Sequence, residues 1–280
     1  MSGLKNLVKI LKKDREHKSF TDNFEHHYYK TLILQHPPRK PKEDMFSPSS
    51  LNKCDRELYY MIMGYEPEPQ QIETHLNGSW KAILDAGTDR HERIQTTITR
   101  MKESGINLEW VDVEKYLKEN KREGVSVIEK SGMETKLFSE TLSARFLCDG
   151  IVSIDDEYHI VEIKTMGSNK FSKAIARDGI NPEHVMQASA YSLALGINKI
   201  LYIYENRDNN QIKVFLRIVT EQDKKDVINK IRRIQEYKKL GKVPPKPTDP
   251  SLCMYCNYKN RSSRDGYTPD LFKNVDFTDE

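Results

Sequence analysis

Two carboxylates and a lysine stand at spacings that a β-hairpin would gather on one face. They lie in residues 146–154 (FLCDGIVSI) and 158–165 (YHIVEIKT), with Asp155, Asp156 and Glu157 between. Side chains alternate along a strand, so Glu162 and Lys164 share a face while Val161, Ile163 and Thr165 take the other. If Asp155 and Asp156 form a two-residue loop, Ile154 opposes Glu157 and Asp149 opposes Glu162. A four-residue loop sets Asp149 opposite Lys164, on the same face. A three-residue loop sends Asp149 to the wrong face unless a bulge restores the register. Directly opposed Cβ atoms are about 4.5–5.5 Å apart, and two carboxylates that close repel unless a proton or cation lies between them. A divalent ion with oxygen ligands resolves the repulsion, and an ion beside a lysine is what hydrolysis of a phosphodiester needs. The plainer reading is a solvated strand face with an ordinary Glu–Lys pair. Against it stand Phe146, Leu147, Ile151, Val152, Ile160, Val161 and Ile163, an apolar run that implies a largely buried hairpin.

The elements around the hairpin follow from pattern. Ser47 and its neighbours cap a helix through Leu51, Cys54, Leu58, Tyr59 and Met61. Asn77 opens a long helix on which Trp80, Leu84, Gly87, His91, Ile94, Ile98 and Met101 form one buried stripe. Residues 109–130 read as a helical stretch and then a strand at 125–128, and a further strand covers 133–139. Asn181 caps a helix that Pro182 starts and Gly196 ends. Strands at 200–204 and 212–219 flank a turn at 207–210, and residues 220–223 open a helix through Val227, Ile231, Ile234 and Lys238. Leu4, Leu7, Val8 and Leu11 fit a short amphipathic helix in a basic N-terminal segment, with 37–42 (PPRKPK) an extended linker. Three regions are expected: an arm at 1–45, a catalytic domain at 46–262 and a tail at 263–280.

The chain has 280 residues, 45 Lys plus Arg against 42 Asp plus Glu, a net charge of +3 and four cysteines. A near-neutral total leaves room for local basic patches that bind nucleic acid. No run of about 20 apolar residues is present, so no membrane partner and a cytoplasmic location (a host's cytoplasm for a phage protein) are expected. Four cysteines without a secretion signal point to metal binding or burial rather than to disulfides.

Further motifs gather around the hairpin. GTDRH at 87–91 precedes it, Glu134 opens the strand before it, and QASAY at 187–191 follows it. Gln187 and Tyr191, four apart, share a helix face. Together with Asp149, Glu162 and Lys164, these residues resemble the PD-(D/E)XK nuclease superfamily, in the RecB-type branch with the CRISPR adaptation exonucleases, AddB-type nuclease domains and phage exonucleases. The resemblance spans roughly residues 47–262. Cys148 stands where the proline of the superfamily's name would precede Asp149. The resemblance implies an α/β fold, a mixed sheet flanked by helices, and a Mg2+- or Mn2+-dependent deoxyribonuclease, an exonuclease rather than an endonuclease. Its metal would be held by His91, Asp149, Glu162 and the carbonyl of Ile163. Lys164 would position water or stabilise charge, with Gln187 and Tyr191 in the catalytic set and Glu134 as an accessory acid. DNA, as single strands or duplex ends, is the implied partner, with contacts expected from Lys and Arg around the cleft, including Lys170, Lys173 and Arg177, and from the basic N-terminal arm, for which a solvated tail is the alternative. A helicase or recombination protein would accompany it in recombination, repair or phage DNA metabolism. A nuclease fold that binds DNA without cutting, or one that acts on RNA, is the alternative.

An iron–sulfur subgroup of this branch carries one N-terminal and three C-terminal cysteines. Cys54, Cys253 and Cys256 resemble three of them, but the fourth position holds Ser262. A 4Fe-4S cluster takes four thiolates; Zn2+ with a His or Asp as fourth ligand and a metal-free site are the other readings. Each places residue 54 near residues 253–256.

Overall fold

The computed structural model describes residues 2–36, 41–68, 74–177, 179–253 and 256–278, which fall into two units. The smaller unit joins helix α1 (Ser2–Gln35) to the first part of α3 (Thr74–Thr99). A Cβ on Gly78 would lie 2.5 Å from that of Tyr29, so glycine is what lets the two backbones meet. His36 Nε2 and Asp85 Oδ1, 2.8 Å apart, make a second tie. The basic N-terminal segment is therefore one 34-residue helix, not a short one. The apolar face expected at residues 4–11, and most of the linker expected at 37–42, lie outside the described side chains. No described helix is long and apolar enough to cross a membrane.

The larger unit holds α2 (Asp55–Ile62), the end of α3, β1 (Leu108–Val111), α4 (Val113–Glu119), β2 (Val125–Ser131) and β3 (Glu134–Ser139). It continues with β4 (Ala144–Cys148), β5 (Gly150–Ile154), β6 (Glu157–Met166), α5 (Ser168–Ala176), α6 (Pro182–Leu195), β7 (Lys199–Asn206), β8 (Ile212–Ile218), α7 (Glu221–Lys239) and α8 (Lys259–Arg264). A five-stranded sheet runs β1-β5-β6-β7-β8, with β6 parallel to β7 and the other pairs antiparallel; β2-β3-β4 form a separate antiparallel sheet. The parallel pair requires a crossover, which α5 and α6 supply. This is the α/β class, a mixed sheet flanked by helices, that the sequence implied.

The β5–β6 turn sets the register. Asp155 and Asp156 take φ of 49° and 64°, a two-residue loop with both residues left-handed, whose twist suits a hairpin. Ile154 pairs with Glu157 and Gly150 with Val161, so the next step brings Asp149 opposite Glu162. The apolar run at 146–154 is nevertheless two strands. Residues 144–148 pair with β3 in the small sheet, and the chain crosses to the large sheet at Asp149 and Gly150.

The sheet buries both faces. Ile151, Ile160, Ile200, Tyr202 and Tyr204 join the core with α6 and α7, and Val152, Val161, Ile163 and Ile203 pack against Ile94 and Ile98 of α3. The buried stripe of α3 is shorter than its periodicity implies, because Trp80 and Leu84 are exposed. Residues 109–130, which the pattern leaves mixed, resolve as β1, α4 and β2. The expected Thr220–Asp223 capping box opens α7. At α2 the cap differs from expectation: Ser47 precedes a short 3-10 turn, and Cys54 Sγ accepts the Glu57 N–H at the helix start, 3.4 Å away.

Candidate active site

Asp149 occupies the crossing between sheets, where its backbone has no ladder partner and its side chain is free to act as one. Its Oδ2 accepts the Ile163 N–H at 2.7 Å, and its carbonyl accepts Gln95 Nε2 at 2.6 Å. In an extended strand the N–H and C=O of one residue point to the same side. The Ile163 carbonyl therefore faces the Asp149 side of β6.

His91 reaches the same point from α3. Its Nδ1 lies 3.3 Å from Glu134 Oε1 and 3.5 Å from Asp149 Oδ1. Ion pairs hold this end of the helix in place: Arg90 and Arg93 both contact Glu205, which is fully buried on β7. Ligand atoms of His91, Glu134 and Asp149 all lie within 4.8 Å of one another, the only such group among the described residues. Adjacent ligands of an octahedral Mg2+ at ~2.1 Å are about 3.0 Å apart, so small side-chain movements would close the group on an ion. Burial alone would lower the imidazole pKa, but hydrogen bonds and charge from Asp149 and Glu134 outweigh it and raise it to about 10. The two carboxylates thus favour positive charge at this point.

Glu162 lies beside this group. It is 1 % exposed, and burial pushes its carboxyl up to about 7 despite Lys164. Its Oε1 takes Lys164 Nζ at 2.5 Å and Gln187 Nε2 at 2.8 Å, while Oε2 is buried with no hydrogen-bond partner. A buried carboxylate oxygen without a donor is costly, and a cation would satisfy it. The donor set therefore fits a hard divalent ion. Burial opposes the charge on Lys164, but Glu162 and Asp149 hold its pKa above the ordinary value.

Gln187 and Tyr191 do not face open solvent, as a substrate contact would. Gln187 Nε2 also donates to Tyr191 Oη at 2.8 Å, Tyr191 Oη donates to the Leu147 carbonyl at 3.2 Å, and the Tyr191 ring stacks on Phe146. The pair ties Glu162 to β4. Glu134, the accessory acid by sequence, stands in the cluster itself. Gln95 was not anticipated; its signal is its place one helical turn after His91. His184 was also missed. It lies one turn before Gln187, its Nδ1 is 2.7 Å from Tyr204 Oη, and burial, with Lys164 and Lys170, pushes its pKa down to about 3.

At the other end, Cys54 and Cys253 lie within electrostatic range, as do Cys256 and Cys54. Burial raises the Cys54 thiol and pushes Cys256 up to about 12. Ser262 supplies no thiolate, so the residues present do not complete a 4Fe-4S site. The neighbouring Arg56, 1 % exposed, joins the C-terminal segment to α2. Its guanidinium donates to the carbonyls of Pro244 (2.7 Å), Ser262 (2.8 Å) and Gly266 (3.0 Å) and to Thr268 Oγ1 (2.9 Å).

No protein-family model matches the chain, and no curated protein matches it in sequence. Among solved structures it is similar to SSO0001, at 17 % identity and TM-score 0.44, covering 84 % of this chain and 93 % of that one. It is also similar to an alkaline exonuclease (LHK-Exo) from Laribacter hongkongensis, at 11 % identity and TM-score 0.39, covering 79 % and 94 %. A phage related exonuclease from Haemophilus somnus 129PT follows at 12 % identity and TM-score 0.27, covering 72 % and 97 %.

Proposed function

We propose that this chain is a metal-dependent DNA nuclease of the PD-(D/E)XK type, working as an exonuclease. The observation that carries the reading is the convergence of His91, Glu134 and Asp149 beside the buried Glu162–Lys164 pair. His91, Glu134, Asp149 and the unpartnered oxygen of Glu162 would hold Mg2+ or Mn2+, with the Ile163 carbonyl on the same side. A divalent ion held there supplies Lewis-acid polarisation of the phosphate and a nucleophile at neutral pH. Lys164, charged and 26 % exposed in its side chain, reaches the open side of the site and neutralises the phosphate. Gln187 and Tyr191 fix the Glu162 carboxylate, and Gln95 fixes the backbone of Asp149. The test is cleavage of labelled linear, circular, single- and double-stranded DNA, and of RNA, with Mg2+ or Mn2+. Degradation confined to linear DNA supports exonuclease action; nicking of circles argues for an endonuclease. Binding without cutting under every condition replaces the enzyme with a DNA-binding subunit.

A further inference from the structure

We propose that the hollow between α5 and the start of α6 is a second phosphate site, which holds a phosphate of the bound strand away from the bond being cut. The inference rests on the nuclease reading above and deepens it. The hollow has a volume of about 410 Å3 and is lined by Lys170, Lys173, Arg177, Asn181, Pro182 and Glu183, among others. That size falls within the ~300–1,000 Å3 of small-ligand sites, enough for a sugar-phosphate unit. Lys170, Lys173 and Arg177 follow at three- and four-residue steps, so they share one face of α5 and its cap. All three are exposed.

The opposite wall is the first turn of α6, whose dipole is positive at this end. Pro182 has no N–H, and the Asn181 and His184 N–H groups are already held by Tyr204 Oη (3.1 Å) and the Asn181 carbonyl (2.9 Å), so the three cations of α5 and its cap carry most of the attraction. Asn181 stands at the cap position but makes no side-chain cap; its amide donates instead to Glu183 Oε1 at 3.1 Å. Three cations against one carboxylate leave two net positive charges among the described lining residues. A phosphodiester carries a single negative charge, whereas a terminal phosphomonoester carries about 1.5 to 2 at pH 7.

The hollow adjoins the catalytic strand. Lys164 feels the charge of Glu183, and His184 feels both Lys164 and Lys170. Tyr204, which holds His184 Nδ1, is the register partner of Lys164 across β6 and β7. One strand lying over Lys164 can thus place a neighbouring phosphate against Lys170, Lys173 and Arg177.

The experiment measures DNA binding by anisotropy in EDTA across a salt series. It compares wild type, the Lys170→Ala/Lys173→Ala/Arg177→Ala triple variant, the single reversal Lys173→Glu, and Lys118→Ala as a control distant from the hollow. Oligonucleotides carry 5′-phosphate, 3′-phosphate or hydroxyl ends. The triple variant is expected to bind about tenfold more weakly or worse, with a log–log salt slope shallower by about 1 for each phosphate that the protein no longer neutralises. Weakening confined to one phosphorylated end assigns a terminal phosphate; equal weakening on every oligonucleotide assigns an internal one. The proposal is overturned if the triple variant and Lys173→Glu match wild type and Lys118→Ala in affinity and slope, or if wild type binds none of the oligonucleotides. Cleavage with Mn2+ is read separately. Wild type that binds through these residues but never cuts defeats the nuclease reading and leaves the phosphate site standing.

Discussion

Gly150→Ala tests how the active site is built. Gly150 follows Asp149 at the crossing between sheets, with φ of +158°. A Cβ there would lie 2.2 Å from Trp110 Cη2 and 2.3 Å from Cζ2, against about 3.5–4.0 Å for a comfortable carbon–carbon contact. The indole must move by more than an ångström, although it is packed against Val152 and its neighbours. Overpacking of this kind costs about 1–3 kcal/mol, and holding an L-residue in that region of φ costs a further 1–3 kcal/mol or so. The expected loss is about 2–5 kcal/mol in urea denaturation. Trp110→Ala in the same chain removes the clash and leaves the backbone strain, so the double-mutant cycle should return about 1–3 kcal/mol of coupling. Mn2+ affinity should fall with stability, because the displaced backbone carries Asp149. A Gly150→Ala protein within about 0.5 kcal/mol of wild type, or one equally destabilised in both Trp110 backgrounds, refutes the packing argument.

Replacing His91 links metal to pH. The imidazole is protonated up to about pH 10 in the metal-free protein, and a metal needs it neutral, so Mn2+ uptake should release a proton. Calorimetry should find affinity rising about tenfold or more from pH 7 to 8, a dependence that His91→Ala should reduce to the roughly twofold left by Glu162, whose carboxyl lies at about 7. In the metal-free fold the raised pKa stabilises fully below about pH 6.5 and that contribution fades as pH rises through about 10; denaturation curves across this window check the sign. Arg56→Met should cost about 2–3 kcal/mol, because the buried Pro244 carbonyl and the half-buried carbonyls of Ser262 and Gly266 lose their donor. Arg56→Lys should recover only part of this, since an ammonium cannot span the fork; urea denaturation measures both. Protein purified without oxygen should be colourless and free of iron by elemental analysis; a brown protein with iron and sulfide contradicts the reading of Ser262. Gln187→Ala should lower kcat by about ten- to a hundredfold with little change in KM, the mark of a positioning residue.

The core of the site was legible because its geometry is local. Two of the three loop lengths open to the hairpin put Asp149 on the face of Glu162 and Lys164, and the two-residue loop at Asp155 and Asp156 sets it opposite Glu162. The break at Asp149 was hidden for the opposite reason: Phe146 to Ile154 is apolar on both sides, and only pairing with β3 shows that the run serves two sheets. Glu134 reads from sequence only as an accessory acid, because nothing local connects it to His91; the small sheet does. On α3 the spacing of Trp80 and Leu84 matched that of Ile94 and Ile98, but periodicity reports a common face and not whether that face is covered. The four-residue step from Gln187 to Tyr191 reports a shared helix face. Their hydrogen bonds to Glu162, to each other and to the Leu147 carbonyl are invisible in sequence. Arg56 carried no signal at all, since a buried guanidinium is recognised only by the carbonyls around it.

The most direct test is cleavage of end-labelled linear DNA with excess Mn2+ against a saturating chelator control, comparing wild type with Glu162→Gln and Asp149→Asn of verified fold. Wild type should degrade the DNA only when the ion is present, and each variant should lose about a thousandfold or more. Cutting that survives chelation, or variants that cut as fast as wild type, would contradict the assignment of this site.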